Sequence, residues 1–541
     1  MTEDIAEVIV EQNDAEQERE ELPPIAADMQ TVRFILLVLS LAVYLFFPVF
    51  SPEFFGHLAR GRWILTVGDF PWSDHWTEAG SAFSWYDSSW LFDVTAFWLV
   101  DNFGEPGVGG MKAAVWLIFT LFTGYSFASL AGSRTTGFLL ACLLCPAVLA
   151  DQALRPDILG VALMISSLAL QTVYFRNPLL SWPLAVFFLL SIVACNTHSS
   201  AILLPVILAA GAVATQPALF ASRFWLCFRF IVFWMLSAMA SPYFGRQLLT
   251  AGASWINELA LATALRDQAP SIFHVDFAIF LIVVSLFIQA SFESGVLPKS
   301  TRVICLLVFG VVSLVMRSTL PWAIAYGCYC FATLYDEAVK EGVLERTETG
   351  VLAGINRLGL LLGRLPAPGL EFLALCIVLV NSYNYFLDPM ATSMLPRSEV
   401  FYMQSQKMPG PLYHPESVGG YLQWELGEVK NGDDDELRAE FDERTRGINP
   451  RFAGSAALIL DLKPGWDEAL YSLQPRTMLL RTTDPLYQIL VRDPQWQLRM
   501  EHGKPVDIQA DDSPEGEERS DVGWAVFTQK TDVGEPKMGG E

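Results

Sequence analysis

Charge is scarce between Arg33 and Asp388, and that scarcity excludes a water-soluble fold for most of this chain. Apolar side chains make up 52% of the residues and charged ones only 17%, with the charges gathered at the two ends. No basic patch of the kind that nucleic acid requires is present, so no nucleic-acid partner is expected. The net charge of −23 comes from an acidic N-terminal tail and an acidic C-terminal region, and it keeps both solvated. None of the eight cysteines lies beyond Cys376, so no disulfide holds the C-terminal region. All of them sit in apolar runs, where Cys142-Leu-Leu-Cys145 and Cys328-Tyr-Cys330 read as small buried hydrophobes, not as a zinc site or redox pair. Internal repeats at a solenoid period are also missing.

What the middle has instead is a series of apolar runs near bilayer length, since ~20 residues cross ~30 Å of hydrocarbon. Residues 33–50 form the first; they lie too deep, and lack the flanks, for a cleaved leader, so they read as a signal-anchor. Further runs fall at 112–131, 136–151, 157–175, 180–196, 200–215, 225–241, 276–291, 302–316, 319–335 and 370–387. The expectation is an α-helical polytopic membrane protein of about 11 spans. The segment 89–104 is apolar but short, and Asp93 and Asp101 interrupt it. A charge at the bilayer centre costs ~2.5–3.5 kcal/mol, so this piece is expected to lie in the interface. Residues 350–365, with Arg357 and Arg364 on an amphipathic pattern, are expected on the membrane surface.

With the N-terminus inside and 89–104 not crossing, Arg134, Arg176, Arg223, Arg229, Lys299, Arg302, Lys340, Arg346, Arg357 and Arg364 all face the cytoplasm. The opposite side then receives the loop 51–90, Arg155-Pro-Asp157, Asn196-Thr-His198, the 242–275 loop, Arg317 and everything after Asp388. Three regions result: a disordered acidic cytoplasmic tail at 1–32, a transmembrane domain at 33–387 and an extracytoplasmic α/β domain at 388–541. In the last, strands are expected at Ala456–Leu462, Thr477–Leu480, Trp496–Glu501 and Trp524–Gln529, a short helix at Pro485–Asp493, and a disordered polar insertion at 503–522.

The stretch with the densest chemistry is the loop 51–90. There Glu53, His57, Asp69, Asp74, His75, Glu78 and Asp87 alternate with Trp63, Trp72, Trp76, Trp85 and Trp90. Carboxylates and imidazoles can carry acid–base or metal chemistry, and indoles suit a membrane–water boundary. The loop therefore reads as the wall of an active site.

Several short motifs recur in order: Glu53-Phe-Phe-Gly-His57-Leu58, Gly61-Arg-Trp63-Ile64-Leu65, Pro71-Trp-Ser-Asp74, Trp85 to Trp90-Leu91, Arg155-Pro156, Asn196-Thr-His198, Ser241-Pro-Tyr-Phe-Gly245, Arg317 and Gly419-Gly-Tyr421-Leu-Gln-Trp424. In these the chain resembles the GT-C superfamily, the membrane glycosyltransferases of the dolichyl-phosphate-mannose mannosyltransferase type, over most of residues 33–530. It departs from that pattern in having Glu53 for the usual Asp, Ser199 and Ser200 for expected glycines, and Ser241 for Asn.

The resemblance implies a GT-C-like transmembrane domain in the bacterial inner (cytoplasmic) membrane. It implies transfer of a sugar from a polyprenyl-phosphate carrier to an envelope acceptor at the outer face, with membrane lipid as the other partner. Glu53 and Asp74 are then the acid–base candidates, with His57 beside them. Arg155, Arg317 and His198 are the candidates for the lipid phosphate. A divalent cation is a possible cofactor, although hard-ion sites leave little sequence signal. A transporter or flippase of a lipid-linked intermediate, and a non-catalytic envelope scaffold, are the alternative functions. A cytoplasm-only reporter fused after Asp388 is expected to give no signal; a strong one would overturn the span count.

Overall fold

The computed structural model describes residues 53–149, 154–205, 207–208, 220–265, 274–295, 300–343, 349–362, 395–427, 437–442, 444–506 and 523–530. The tail 1–32, the first span 33–50, the run 370–387 and most of the insertion 503–522 lie outside the described residues.

The molecule is mainly helical. In chain order the helices are α1 (Glu53–Val67), α2 (Trp90–Phe103), α3 (Glu105–Ala131), α4 (Arg134–Leu149), α5 (Asp157–Arg176), α6 (Trp182–Thr197), α7 (Phe220–Met239), α8 (Arg246–Leu265), α9 (Val275–Ser294), α10 (Ser300–Val315), α11 (Leu320–Lys340) and α12 (Val351–Leu362). Among the described residues, three stretches are long and apolar enough to cross a bilayer: Pro106–Ala131 in α3, and the whole of α5 and α9. Four shorter apolar helices accompany them, at Arg134–Cys145, Trp182–Thr197, Phe224–Met239 and Arg302–Val315. The axis of the bundle is α11, buried along nearly its whole length between α9, α10, α3 and α4. Its Cys328 and Cys330 are free thiols packed as apolar side chains.

Two segments expected as loops contain helices. Residues 53–67 of the 51–90 segment form α1, and the 242–275 segment holds the 20-residue α8. A run that mixes Phe, Gly, His and Arg gives no amphipathic period, because α1 is covered on more than one side. It packs between α2 and a helix of the C-terminal region. The contact with α2 is backbone to backbone at Gly61, where a Cβ would lie 2.1 Å from the Asp93 carbonyl oxygen.

The C-terminal region carries α13 (Arg397–Ser405), α14 (Gly419–Leu426), α15 (Thr445–Ile448), α16 (Pro450–Leu460), α17 (Trp466–Leu473) and α18 (Pro485–Leu490). They surround a sheet of β1 (Leu412–Tyr413), β2 (Thr477–Arg481), β3 (Trp496–Glu501), β4 (Lys504–Pro505) and β5 (Trp524–Gln529), in the order β1-β2-β5-β3-β4. Only β1 and β2 are parallel; β2 meets β5 antiparallel with Leu479 opposite Val526. The run Ala456–Leu462, expected as a strand, instead belongs mostly to α16. Asn449 caps that helix by accepting from the Phe452 amide, Pro450 occupies its first turn, and Ala453, Ala456 and Ile459 bury one face at helical spacing. A short apolar run is consistent with either element, and the cap decides.

Gly61→Ala is expected to lower thermal stability by about 1–3 kcal/mol, because the backbone of α2 must move to admit a methyl group. Thermal unfolding of the purified protein in detergent, compared with wild type, measures it.

Candidate functional site

Helical spacing puts Glu53, His57 and Arg60 along one side of α1, at i, i+4 and i+7. Glu53 accepts from the Arg155 guanidinium, which stands just before α5. One turn on, His57 Nδ1 lies 2.5 Å from Asp93 Oδ1. Arg60 Nε donates to Asp93 Oδ2 at 2.6 Å, and its Nη2 lies 2.8 Å from His57 Nδ1. Asp93, on α2, is wholly buried. It is therefore not a solvated charge interrupting an apolar run; it is the buried anion that clamps α1 to α2. Taking away one member of such a pair costs about 3–5 kcal/mol.

Asp87 completes this cluster. Its Oδ1 accepts from the Ser89 amide at 2.9 Å, and Oδ2 has no hydrogen-bond partner among the described residues, with Arg60 Nε 3.9 Å away. Burial and the neighbouring Asp93 push the Asp87 carboxyl up to about 7, against the pull of Arg60. The same burial, with Arg60 adding, holds the His57 imidazole well below the ordinary histidine range, so it is neutral at pH 7.

Asp74 stands in a different place. Its oxygens accept from the Trp76 amide at 3.0 Å, from Thr77 Oγ1 at 2.5 Å, and from Arg444 Nη2 at 3.3 and 3.2 Å. Arg444 also donates through Nε to Asp442 at 2.6 Å, and Asp442 accepts from Gln423 at 2.6 Å. Burial works to raise Asp442, but Arg444 and Gln423 hold it below the usual carboxylate range. The Trp85 ring lies between two guanidiniums, Arg444 at 4.6 Å and Arg60 at 5.9 Å. Asp74 thus fastens the segment between α1 and α2 to the C-terminal region.

His198 Nδ1 lies 2.5 Å from Ser200 Oγ and accepts from the Ser200 amide at 3.2 Å, so its proton sits on Nε2. It lines a crevice with Gly160, Ser200, Leu204 and Trp322, which has room on the order of one water molecule. Burial lowers its basicity; Asp157 opposes this, while His57 and Arg155 add to it, which puts His198 within the field of the Glu53–Arg155 pair. Asn196, of the same motif, accepts from Trp90 Nε1 at 2.7 Å and so fixes α6 to the start of α2. Arg317 donates to Asp276 at 2.8 Å, at the start of α9.

Glu53, His57, Arg155 and His198 therefore share one neighbourhood, Asp74 belongs to the adjoining network of Arg444, and Arg317 forms its own pair with Asp276. Exposure separates these groups. The side chains of Glu53 and Arg155 keep 19% and 32% of their surface open, whereas those of Asp74 and Asp93 keep 1% and 0%. Sequence reasoning missed Arg60, Arg444 and Asp442, named Asp87 only as one of the loop's acids, and took Asp93 only as a penalty against insertion. The signal for Asp93 was available: an acid in an apolar run demands a cation, and Arg60 meets that demand once 53–67 is read as a helix. For Arg444, inside an acidic stretch, no signal existed.

Among the described residues no three His, Cys, Asp or Glu side chains converge on one point. Glu53 and Asp93 are already taken up by arginine, so the donor set does not fit a divalent ion held by protein side chains alone.

The fold defines a helical chain with membrane-length segments and an appended mixed sheet. No protein-family model matches it, and no curated protein matches it in sequence. Among solved structures it is similar to the crystal structure of the Archaeoglobus fulgidus oligosaccharyltransferase in complex with zinc and sulfate. The TM-score is 0.39 at 10% sequence identity, over 82% of this chain and 67% of that one. The site is accordingly read from its own geometry.

Asp87 supplies a test of the buried cluster. Its folded-state pKa, about 7, stands above the ordinary 3.8, so its contribution to stability is fully present below about pH 4 and is lost as pH rises through 7. Asp87→Asn is expected to remove that part of the slope. Melting temperature against pH for the two proteins should diverge between pH 4 and 7; parallel curves would refute the assignment.

Proposed function

We propose that this protein is a GT-C-type membrane glycosyltransferase, moving a sugar from a polyprenyl-phosphate carrier to an envelope acceptor at the outer face of the membrane. The observation that carries the reading is the Glu53–Arg155 pair: a carboxylate at the start of α1 held on a guanidinium that immediately precedes a membrane-length helix. Such a transfer needs a base for the acceptor hydroxyl and a cation for the departing phosphate, and this pair has one of each. Glu53 takes the proton of the acceptor as the new glycosidic bond forms. Arg155 neutralises the carrier phosphate as the old bond breaks, and the neutral His198 donates a hydrogen bond to it through Nε2. His57, neutral and sealed against Asp93, positions α1 so that Glu53 meets Arg155. Asp74 keeps the loop closed over the site from the outer-domain side, and Arg317 lies at the same predicted membrane face as a further phosphate cation.

The test is release of polyprenyl phosphate from a polyprenyl-phosphate sugar by the purified protein. Glu53→Gln is expected to lower turnover by about 10²–10⁴-fold with the melting temperature unchanged. Asp74→Asn is expected to lower the melting temperature as well as the rate. Undiminished transfer by both variants would remove the catalytic assignment.

A further inference from the structure

A partly accessible pair of charges also belongs to the C-terminal region. Arg446 Nε lies 2.9 Å from both carboxylate oxygens of Glu416, and its Nη2 is also 2.9 Å from Oε2. The two side chains keep 18% and 25% of their surface open, comparable to Arg155 and Glu53 and unlike the sealed charges around them.

The segment that carries Glu416 is rigidly placed. His414 is fully buried: Nδ1 donates to the Pro415 carbonyl at 2.9 Å, Nε2 accepts from the Glu440 amide at 3.1 Å, and the ring stacks on Phe441 at 4.7 Å. At Gly419 a Cβ would sit 2.3 Å from the Phe441 carbonyl oxygen, so only glycine lets α14 begin so close to that strand of chain. Arg446 is fixed from the other side, because Asn257 on α8 donates to the Gly447 carbonyl at 2.8 Å.

Helix packing brings this pair to the first one. α14 runs beside α1 in the same direction: Phe55 meets Tyr421 with ring centres 5.2 Å apart, and further on Arg62 lies 4.1 Å over Trp424 and donates to its carbonyl at 3.0 Å. Glu53 stands two residues before Phe55, at the first position of α1, and the Glu416–Ser417 corner lies about one turn before Tyr421. The electrostatics agree: the Glu416 carboxyl is pushed up first by burial and, against Arg446, by the negative charges of Asp442 and Glu53.

We propose that Arg155 and Arg446, one from each domain, bind a single phosphate group between them, with Glu53 and Glu416 occupying the guanidiniums until it arrives. The inference rests on the reading of a phosphate-linked donor, and it adds the outer domain to the donor site. Guanidinium forks accept phosphate oxygens in the same bidentate geometry as carboxylate oxygens, so a phosphate can replace either acid. Its arrival draws Arg155 away from Glu53 and leaves that carboxylate to the acceptor hydroxyl. The phosphate is that of a lipid headgroup, since Arg155 adjoins a membrane-length helix.

Titration of the purified full-length protein in detergent with farnesyl phosphate tests this. Arg155→Gln and Arg446→Gln are each expected to weaken binding by about 10–100-fold, the loss of a charge-assisted contact. Arg446→Lys, which keeps the charge without the fork, is expected to fall between. Glu416→Gln removes a competing carboxylate and is expected to tighten binding several-fold, a gain that a merely structural role would not produce. Inorganic phosphate is expected to compete only at more than about 100-fold higher concentration, because it lacks the isoprenoid burial; equal potency would overturn the lipid source. Loss in Arg155→Gln with wild-type affinity in Arg446→Gln, or loss in Glu416→Gln, would overturn the two-arginine site and leave the donor reading intact. A wild-type protein that binds no farnesyl phosphate would overturn the donor reading itself.

Discussion

A single buried anion, Asp93, sets the geometry of everything around the site. It accepts from Arg60 and lies against His57, both on α1, while Gly61 lets the two backbones touch beside it. Without that clamp α1 would have no fixed rotation, and neither Glu53 at its first residue nor Arg62 near its end would meet its partner. Isolated burial of a carboxylate is prohibitive; here the guanidinium and the imidazole compensate it, and the compensation has direction as well as magnitude.

The charges of this region divide by accessibility into ties and tools. Asp74, Asp87, Asp93, Asp442 and Arg60 are buried, and with Arg444 they tie α1 to α2 and Asp74 to the C-terminal region. Glu53, Arg155, Glu416 and Arg446 remain partly open. Chemistry needs groups that a ligand can reach, whereas adhesion between elements needs groups that water cannot reach. One stretch of sequence, 51–90, holds members of both classes side by side.

The C-terminal region is consequently packed into the helical bundle. Its helix α14 packs on α1, its Arg444 pairs with Asp74, and Tyr421 and Leu422 belong to the same apolar core as the helical bundle. The Gly-Gly-Tyr-Leu-Gln-Trp motif is the physical means of that docking, with Tyr421 against Phe55 and Trp424 against Arg62.

Composition and apolar run length were enough to read a helical membrane chain with a small sheet-bearing region at its end, because hydrophobic length and strand alternation are local properties. They placed β2, β3 and β5, whereas Glu53, Asp74, His57, Arg155, Arg317 and His198 were named as candidates from short motifs and the resemblance they carry. They could not recognise α1, whose covering on several sides erases the periodicity that marks a helix, nor separate α16 from a strand, which an asparagine cap decided. Which acids are sealed and which stay open is settled only when α1, α2 and α14 are brought together. Burial is a property of neighbours distant in sequence, and no spacing of residues along the chain encodes it.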